Sequence, residues 1–166
     1  MLKTLFAVAL LIPSSAPAAL DGTEKGAREL LAAFLKPEAD CRALSRTLRP
    51  TSADFKAVFE GDAAAKAEEG DKKPWDEVSV VVAPGPRQTE LILGSATSDE
   101  LAAGSPKAKE FPGGYVKVAA SFKKGLTLWH FSFVEMGKTS GISFDGLVFV
   151  NGHWVLFPKP WRALGK

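Results

Sequence analysis

The apolar positions of this chain change period as the sequence proceeds. Residues 5–12 form one unbroken apolar run. Ala27, Leu30, Leu31, Phe34 and Leu35 then recur at i, i+3, i+4, i+7 and i+8, the stripe of one helix face, and Pro37 stops that helix. A second helix is predicted over residues 38–48, with Cys41, Leu44 and Leu48 turned inward and Pro50 ending it. Thr51 caps a third, with Asp54 three residues on and Phe55, Val58 and Phe59 as its apolar patch. The tract over residues 61–73 is rich in Ala, Lys and Glu and has little to bury. It predicts a weakly held helix extension or a mobile surface segment.

From Trp75 the period shortens to that of strands. Residues 78–83 and 89–93 are short, partly β-branched runs split by Pro84-Gly85-Pro86, and they read as a hairpin. Ser98-Asp99-Glu100-Leu101 starts a short helix, and residues 106–114 form a loop. The strongest strand pattern covers residues 115–122, 126–135, 142–150 and 153–157. Asn151-Gly152 supplies a two-residue turn in which both central positions need positive φ. Pro158 and Pro160 end the sheet and leave Trp161 to dock beside it. The predicted class is α+β, with N-terminal helices packed on one face of a curved mixed or antiparallel sheet that ends in a four-strand meander. This order of elements resembles the cone-shaped superfamily that includes nuclear transport factor 2-like proteins and ketosteroid isomerases. The resemblance spans most of the chain after residue 18 and is carried by element order.

The first apolar run changes the picture of where the protein acts. Lys3 precedes it, and Pro13, Ser14, Ser15 and the small-residue triplet Ala16-Pro17-Ala18 follow, which is the layout of a secretory signal cut after Ala18. The run is far short of the roughly 20 residues that span a bilayer, so a secreted or periplasmic domain over residues 19–166 with no membrane anchor is predicted. Losing Lys3 lowers the formal net charge from +2 to +1, which gives no electrostatic reason to bind nucleic acid or anionic lipid. Arg42, Arg46 and Arg49 read as a solvated helix face. Cys41 is the only cysteine, so no internal disulfide forms. Its helical spacing with Leu44 and Leu48 makes it a small buried apolar residue.

Strand registers sort the meander into two faces. A turn at Lys124-Gly125 sets Ala119 opposite His130 and Lys117 opposite Ser132. A loop over residues 136–141 sets His130 opposite Leu147 and Ser132 opposite Asp145, and the Asn151-Gly152 turn sets Phe149 opposite Trp154. One face then carries Val118, Phe122, Trp129, Phe131, Phe133, Val148 and Val155, the core beneath the helices. The other carries Tyr115, Lys117, His130, Ser132, Asp145, Leu147, Phe149 and Trp154. That second face is too apolar for an ordinary wet surface, and Lys117, His130, Ser132 and Asp145 converge near its middle, the usual make-up of a small-molecule pocket.

Three functions compete for this face: a structural Lys117–Asp145 pair, covered by loops or by a second copy in a homodimer; a binding site for a small apolar molecule or a protein partner; and an active site. The predicted ligand-binding set is Lys117, His130, Ser132, Asp145, Phe149 and Trp154. Non-catalytic binding is the preferred reading. Its alternative is a cofactor-free isomerase or lyase in which Asp145, its pKa raised by apolar walls, is the general base and Tyr115 or His130 donates to an oxyanion. The resemblance implies similar chemistry, since ketosteroid isomerases use a carboxylate base and hydroxyl donors within a cone. Two histidines and one cysteine without close ligand spacing imply no metal, and no cofactor is implied. Gly137-Lys138-Thr139 imitates the end of a phosphate loop, but Ser132 stands where the earlier Gly belongs and strands surround it. The Gly141-to-Asp145 stretch lacks the final Gly of a nucleophile elbow. The tail around Pro158, Lys159 and Pro160 reads as structural closure of the sheet.

Overall fold

A computed structural model describes residues 21–165. The export signal read over residues 1–18 lies outside the described residues. The architecture is α+β: among the described residues there are seven short or medium α-helices and one open antiparallel sheet of four strands in the order β1-β2-β3-β4. Among the described residues no helix is long and apolar enough to cross a membrane.

Helix α1 (Glu24–Ala32) starts at Thr23, whose hydroxyl accepts the Gly26 amide, and continues into a 3₁₀ turn over Ala33–Leu35. Ala27, Leu31 and Phe34 are its buried stripe, as the spacing predicts. Helix α2 (Cys41–Thr47) begins three residues later than the periodicity suggests, because the Asp40 carboxylate caps it by accepting the Ala43 amide at 2.9 Å. Leu48 is buried, whereas Cys41 and Leu44 are only half-buried. The inward polar residue is Ser45, which takes the Val82 amide on its hydroxyl at 2.8 Å. Helix α3 (Ser52–Val58) carries the expected capping box of Thr51 and Asp54.

The Ala, Lys and Glu tract departs from expectation. Residues Asp62–Asp76 form α4, the longest helix, which buries Ala64, Ala67, Asp71 and Trp75. Small side chains let this helix approach the body of the protein, so little apolar area suffices to seat it. Ala64 and Ala67 join one core and Trp75 joins a second, so α4 crosses from one to the other with Asp71 between.

Strands β1 (Gln88–Thr97), β2 (Thr127–Glu135), β3 (Gly141–Val150) and β4 (His153–Leu156) make the sheet. Helix α5 (Ser98–Ala102) follows β1 where a short helix is predicted, with Thr97 and Glu100 as a second capping box. The Asn151-Gly152 turn has φ of 51° and 80°, as a type I′ hairpin requires.

Two predicted strands are not strands. Residues 78–83 hold no ladder and form no hairpin with residues 89–93; β1 instead pairs with β2. Pro84 and Pro86 remove two donors directly after that run, and the Val82 amide is satisfied by Ser45. Residues 115–122 are helical, as α6 (Gly113–Lys117) and a 3₁₀ turn over Ala119–Ser121. Tyr115, Val118, Ala119 and Phe122 are all buried at i, i+3, i+4 and i+7, whereas Val116 is exposed, so the helical period outweighs the β-branched composition. Ala119 and Lys117 therefore pair with no strand, and the partners of His130 and Ser132 on that side are Gly94 and Ile92.

The β2–β3 register also differs. Leu128 and Trp129 pair with Val148 and Leu147, but His130 pairs with Asp145 and Ser132 with Ser143, which leaves Gly146 as an extra residue at φ +88°. This bulge reverses the facing of β3 beyond it. Leu147, Phe149, Trp154 and Leu156 consequently share a face with Trp129, Phe131 and Phe133, while Val148, Val150 and Val155 join Leu128 on the other. Both faces are covered, one by α1, α2 and Trp75, the other by α3 to α6, rather than one face alone.

The sheet ends before Pro158 and Pro160, as predicted, but Trp161 docks on α6 and not beside the sheet. Trp161 opens the last helix, α7 (Trp161–Leu164), and lies over Gly114, where a Cβ would fall 2.2 Å from its ring, and edge-on to Tyr115 at 5.0 Å. Gly70 of α4 likewise admits Ala163, whose Cβ would be 2.5 Å from one added there. Residues 158–163 are thereby pinned across α4.

Candidate functional site

A cleft of about 330 Å³ opens where α4 passes the end of the sheet. Asp71 on α4 and Asp145 on β3 line it, its apolar walls are Val80, Val82, Phe144, Leu156 and Pro158, and the exposed Lys159 and Arg162 complete the lining. The irregular run over residues 79–82, tied down through Ser45, supplies one wall, and the segment pinned by Gly70 supplies another.

Asp71 is the unusual member. It is only 9% exposed, and no hydrogen bond or ion pair reaches its carboxyl from any described residue. Burial alone pushes that carboxyl up to about 7. Asp145 is half-buried; burial raises its carboxyl too, while His130 and Lys159 pull it back. Tyr115 ties the two together. Its phenol is fully buried and donates to the Phe157 carbonyl at 3.2 Å; burial, then Asp145, then Asp71 hold it well above the ordinary range. Both carboxylates thus act on the Tyr115 phenol through their charge, and neither is hydrogen-bonded to it. The close approach of the phenol to β3 needs Gly146, where a Cβ would lie 2.3 Å from the Tyr115 hydroxyl oxygen.

The backbone beside the cleft is strained at two places. Val78, just before the Ser79 wall, has φ 54°, and Lys159 has φ 55°. A β-branched residue in the left-handed region is held there only by its surroundings.

The predicted site residues separate into two groups. Asp145, His130 and Tyr115 are brought together. His130 faces Asp145 across the β2–β3 ladder, bonds the Glu110 carboxylate at 3.1 Å and packs edge-on to Phe111 at 4.9 Å, in space left by Gly94, where a Cβ would be 2.3 Å from its ring. Ser132 bonds the Ser143 hydroxyl at 2.7 Å, and Ser143 borders the cleft. Lys117 does not join them, because α6 carries it to an exposed position. Phe149 and Trp154 lie on the opposite face, packed edge-on at 5.3 Å, because the Gly146 bulge turns them away. Asp71, Lys159 and Arg162 escaped the sequence reading. A signal for Asp71 existed: it interrupts the helical stripe of Ala64, Ala67 and Trp75 with a charge.

His153 also acquires a partner. Its ring nitrogen lies 3.2 Å from the Asp54 carboxylate, which further accepts the Thr51 amide at 2.8 Å, the Thr51 hydroxyl at 2.7 Å and the Asn151 side-chain amide at 2.8 Å. Burial would raise the Asp54 carboxyl, but these donors outweigh it and hold it low. This cluster locks α3 to the β3–β4 turn and satisfies both oxygens of the Asp54 carboxylate. Among the described residues no group of three or more His, Cys, Asp and Glu side chains is placed to hold a metal ion.

No family model, no curated protein and no solved structure matches this chain.

Proposed function

We propose that this chain is an exported protein that binds a small molecule, non-catalytically, in the cleft between α4, β3 and residues 158–163. The observation that carries this reading is the combination in one concavity of apolar walls with two carboxyl groups, Asp71 and Asp145. Strain at Val78 and Lys159 supports it, since conformations of this kind persist at ligand clamps. Export rests on Lys3, the apolar run over residues 5–12 and Ala16-Pro17-Ala18. The resemblance to the cone-shaped superfamily rests on an element order in which residues 78–83 and 115–122 are strands, and it carries no activity to this reading. The test is a fragment screen by amide chemical shifts on the chain and on Val80→Trp, which fills the cleft from its apolar wall. Hits should shift Gly70, Asp71 and Ser143 and vanish in the variant; hits indifferent to Val80→Trp overturn the reading.

One observation favours a second reading, proton transfer with Asp145 as general base: burial lifts its carboxyl in the same cleft as Asp71. Asp145→Asn should then abolish turnover of any substrate found, and full retained turnover rejects this role.

A further inference from the structure

Resting on the cleft as a ligand site, the structure also points to the chemistry of the ligand. We propose that the cleft takes a small organic cation, a primary amine on a compact apolar body, with its ammonium group held between Asp71 and Asp145. Asp71 is more than nine-tenths buried, lines the cleft, and has no hydrogen-bond or ion-pair partner among the described residues. A buried carboxylate in that condition is costly until a donor or a positive charge meets it. The protein does not supply Asp71 with one, and on Asp145 only His130 and Lys159 act, neither within ion-pair distance. The Tyr115 hydroxyl is committed to the Phe157 carbonyl, and no described lysine or arginine nitrogen lies within ion-pair distance of either carboxylate. Lys159 and Arg162 are exposed residues of the lining, free to turn into water.

The less exposed charged groups of the lining decide the ligand: Asp71 is buried and Asp145 half-buried, whereas Lys159 and Arg162 are exposed. An anion seated in the cleft would meet two carboxyl groups, whereas an ammonium brings three donors to them and leaves its apolar body against Val82, Phe144 and Leu156. A metal ion would need further ligands, and no group of three or more is placed for one among the described residues.

Benzylamine and benzyl alcohol have the same shape and differ in charge, so they separate the two claims. Each is titrated at pH 8 into the chain, into Asp71→Asn and into Asp145→Asn, with amide chemical shifts and calorimetry as readouts. Benzylamine should bind about tenfold or more tightly than the alcohol, shift Gly70, Asp71, Ser143 and Ala163, and lose that preference in both variants. The preference in the unmodified chain needs no variant, so it stands as a test if either substitution disturbs folding. Equal binding of both probes at the cleft overturns the cation and leaves the small-molecule reading intact. Shifts from neither probe at the cleft, up to millimolar concentrations, overturn both.

Discussion

Asp54 on α3 and Asp71 on α4 are both carboxylates withdrawn from water, 0% and 9% exposed, yet they are opposites. Asp54 accepts from the amide and hydroxyl of Thr51, from Asn151 and from His153, and its carboxyl is held low. Asp71 accepts from no described residue, and its carboxyl is pushed up to about 7. Burial is therefore not what marks a site. A buried charge with both oxygens hydrogen-bonded is a fastening, while one that lines a cavity without a protein partner is a candidate for binding.

Removing the charge from Asp71 should have the larger effect. Its folded pKa lies above its unfolded one, so the native chain holds the proton more tightly and loses stability as pH rises from about 4 through about 7. Asp71→Asn should abolish this slope. Urea unfolding at a series of pH values should show the stability of the variant gaining on that of the parent by on the order of 4 kcal/mol between about pH 4 and pH 8. A gap that does not change with pH would mean that Asp71 is solvated or paired.

Asp54→Ala should act in the other direction, with a loss of roughly 3 kcal/mol at neutral pH from the missing cap and the unpaired donors of Thr51 and Asn151. The folded pKa of Asp54 is depressed, so its contribution is present above the unfolded value and disappears as pH falls through the folded one. Denaturant midpoints should therefore converge for parent and variant in acid. Midpoints that stay apart in acid would assign the loss to packing.

His153→Ala should be the smallest, about 1 kcal/mol, because the His153 side chain is 44% exposed. Paired with Asp54→Ala in a double-mutant cycle, it measures how much of the fastening is the local cap and how much is the tie to the hairpin turn. A coupling near zero would leave the cap alone as the function of Asp54.

Much of the Asp54 fastening was legible in the sequence and almost none of the Asp71 cleft was. Thr51 and Asp54 sit at capping-box spacing, and Asn151-Gly152 can hardly be anything but a tight turn; both are local rules. His130 and Asp145 were legible as neighbours because period-2 alternation keeps them on one face despite the altered register. Phe149 and Trp154 were misplaced by one glycine. Gly146 adopts φ +88° because the Phe157 carbonyl and the Tyr115 hydroxyl crowd it, and both come from distant parts of the chain. The helix over residues 113–117 was misread because Val116 and Val118 suggest a strand, whereas the buried set of Tyr115, Val118, Ala119 and Phe122 follows a helical stripe.

By itself the sequence determined the α+β class, the helix starts at Thr51 and Ser98, the hairpin at Asn151 and the end of the sheet before its proline-rich tail, since each depends on residues adjacent in the chain. Only the tertiary structure decided that helices cover both faces of the sheet, that β1 rather than residues 115–122 flanks β2, and that Asp71 and Asp145 share one cleft. Those outcomes turn on how closely separate segments approach, at Gly70 against Ala163, Gly114 against Trp161 and Gly146 against Tyr115. A pattern of apolar and polar positions records which side of an element is buried, but not which distant segment will cover it or what gap the two leave between them.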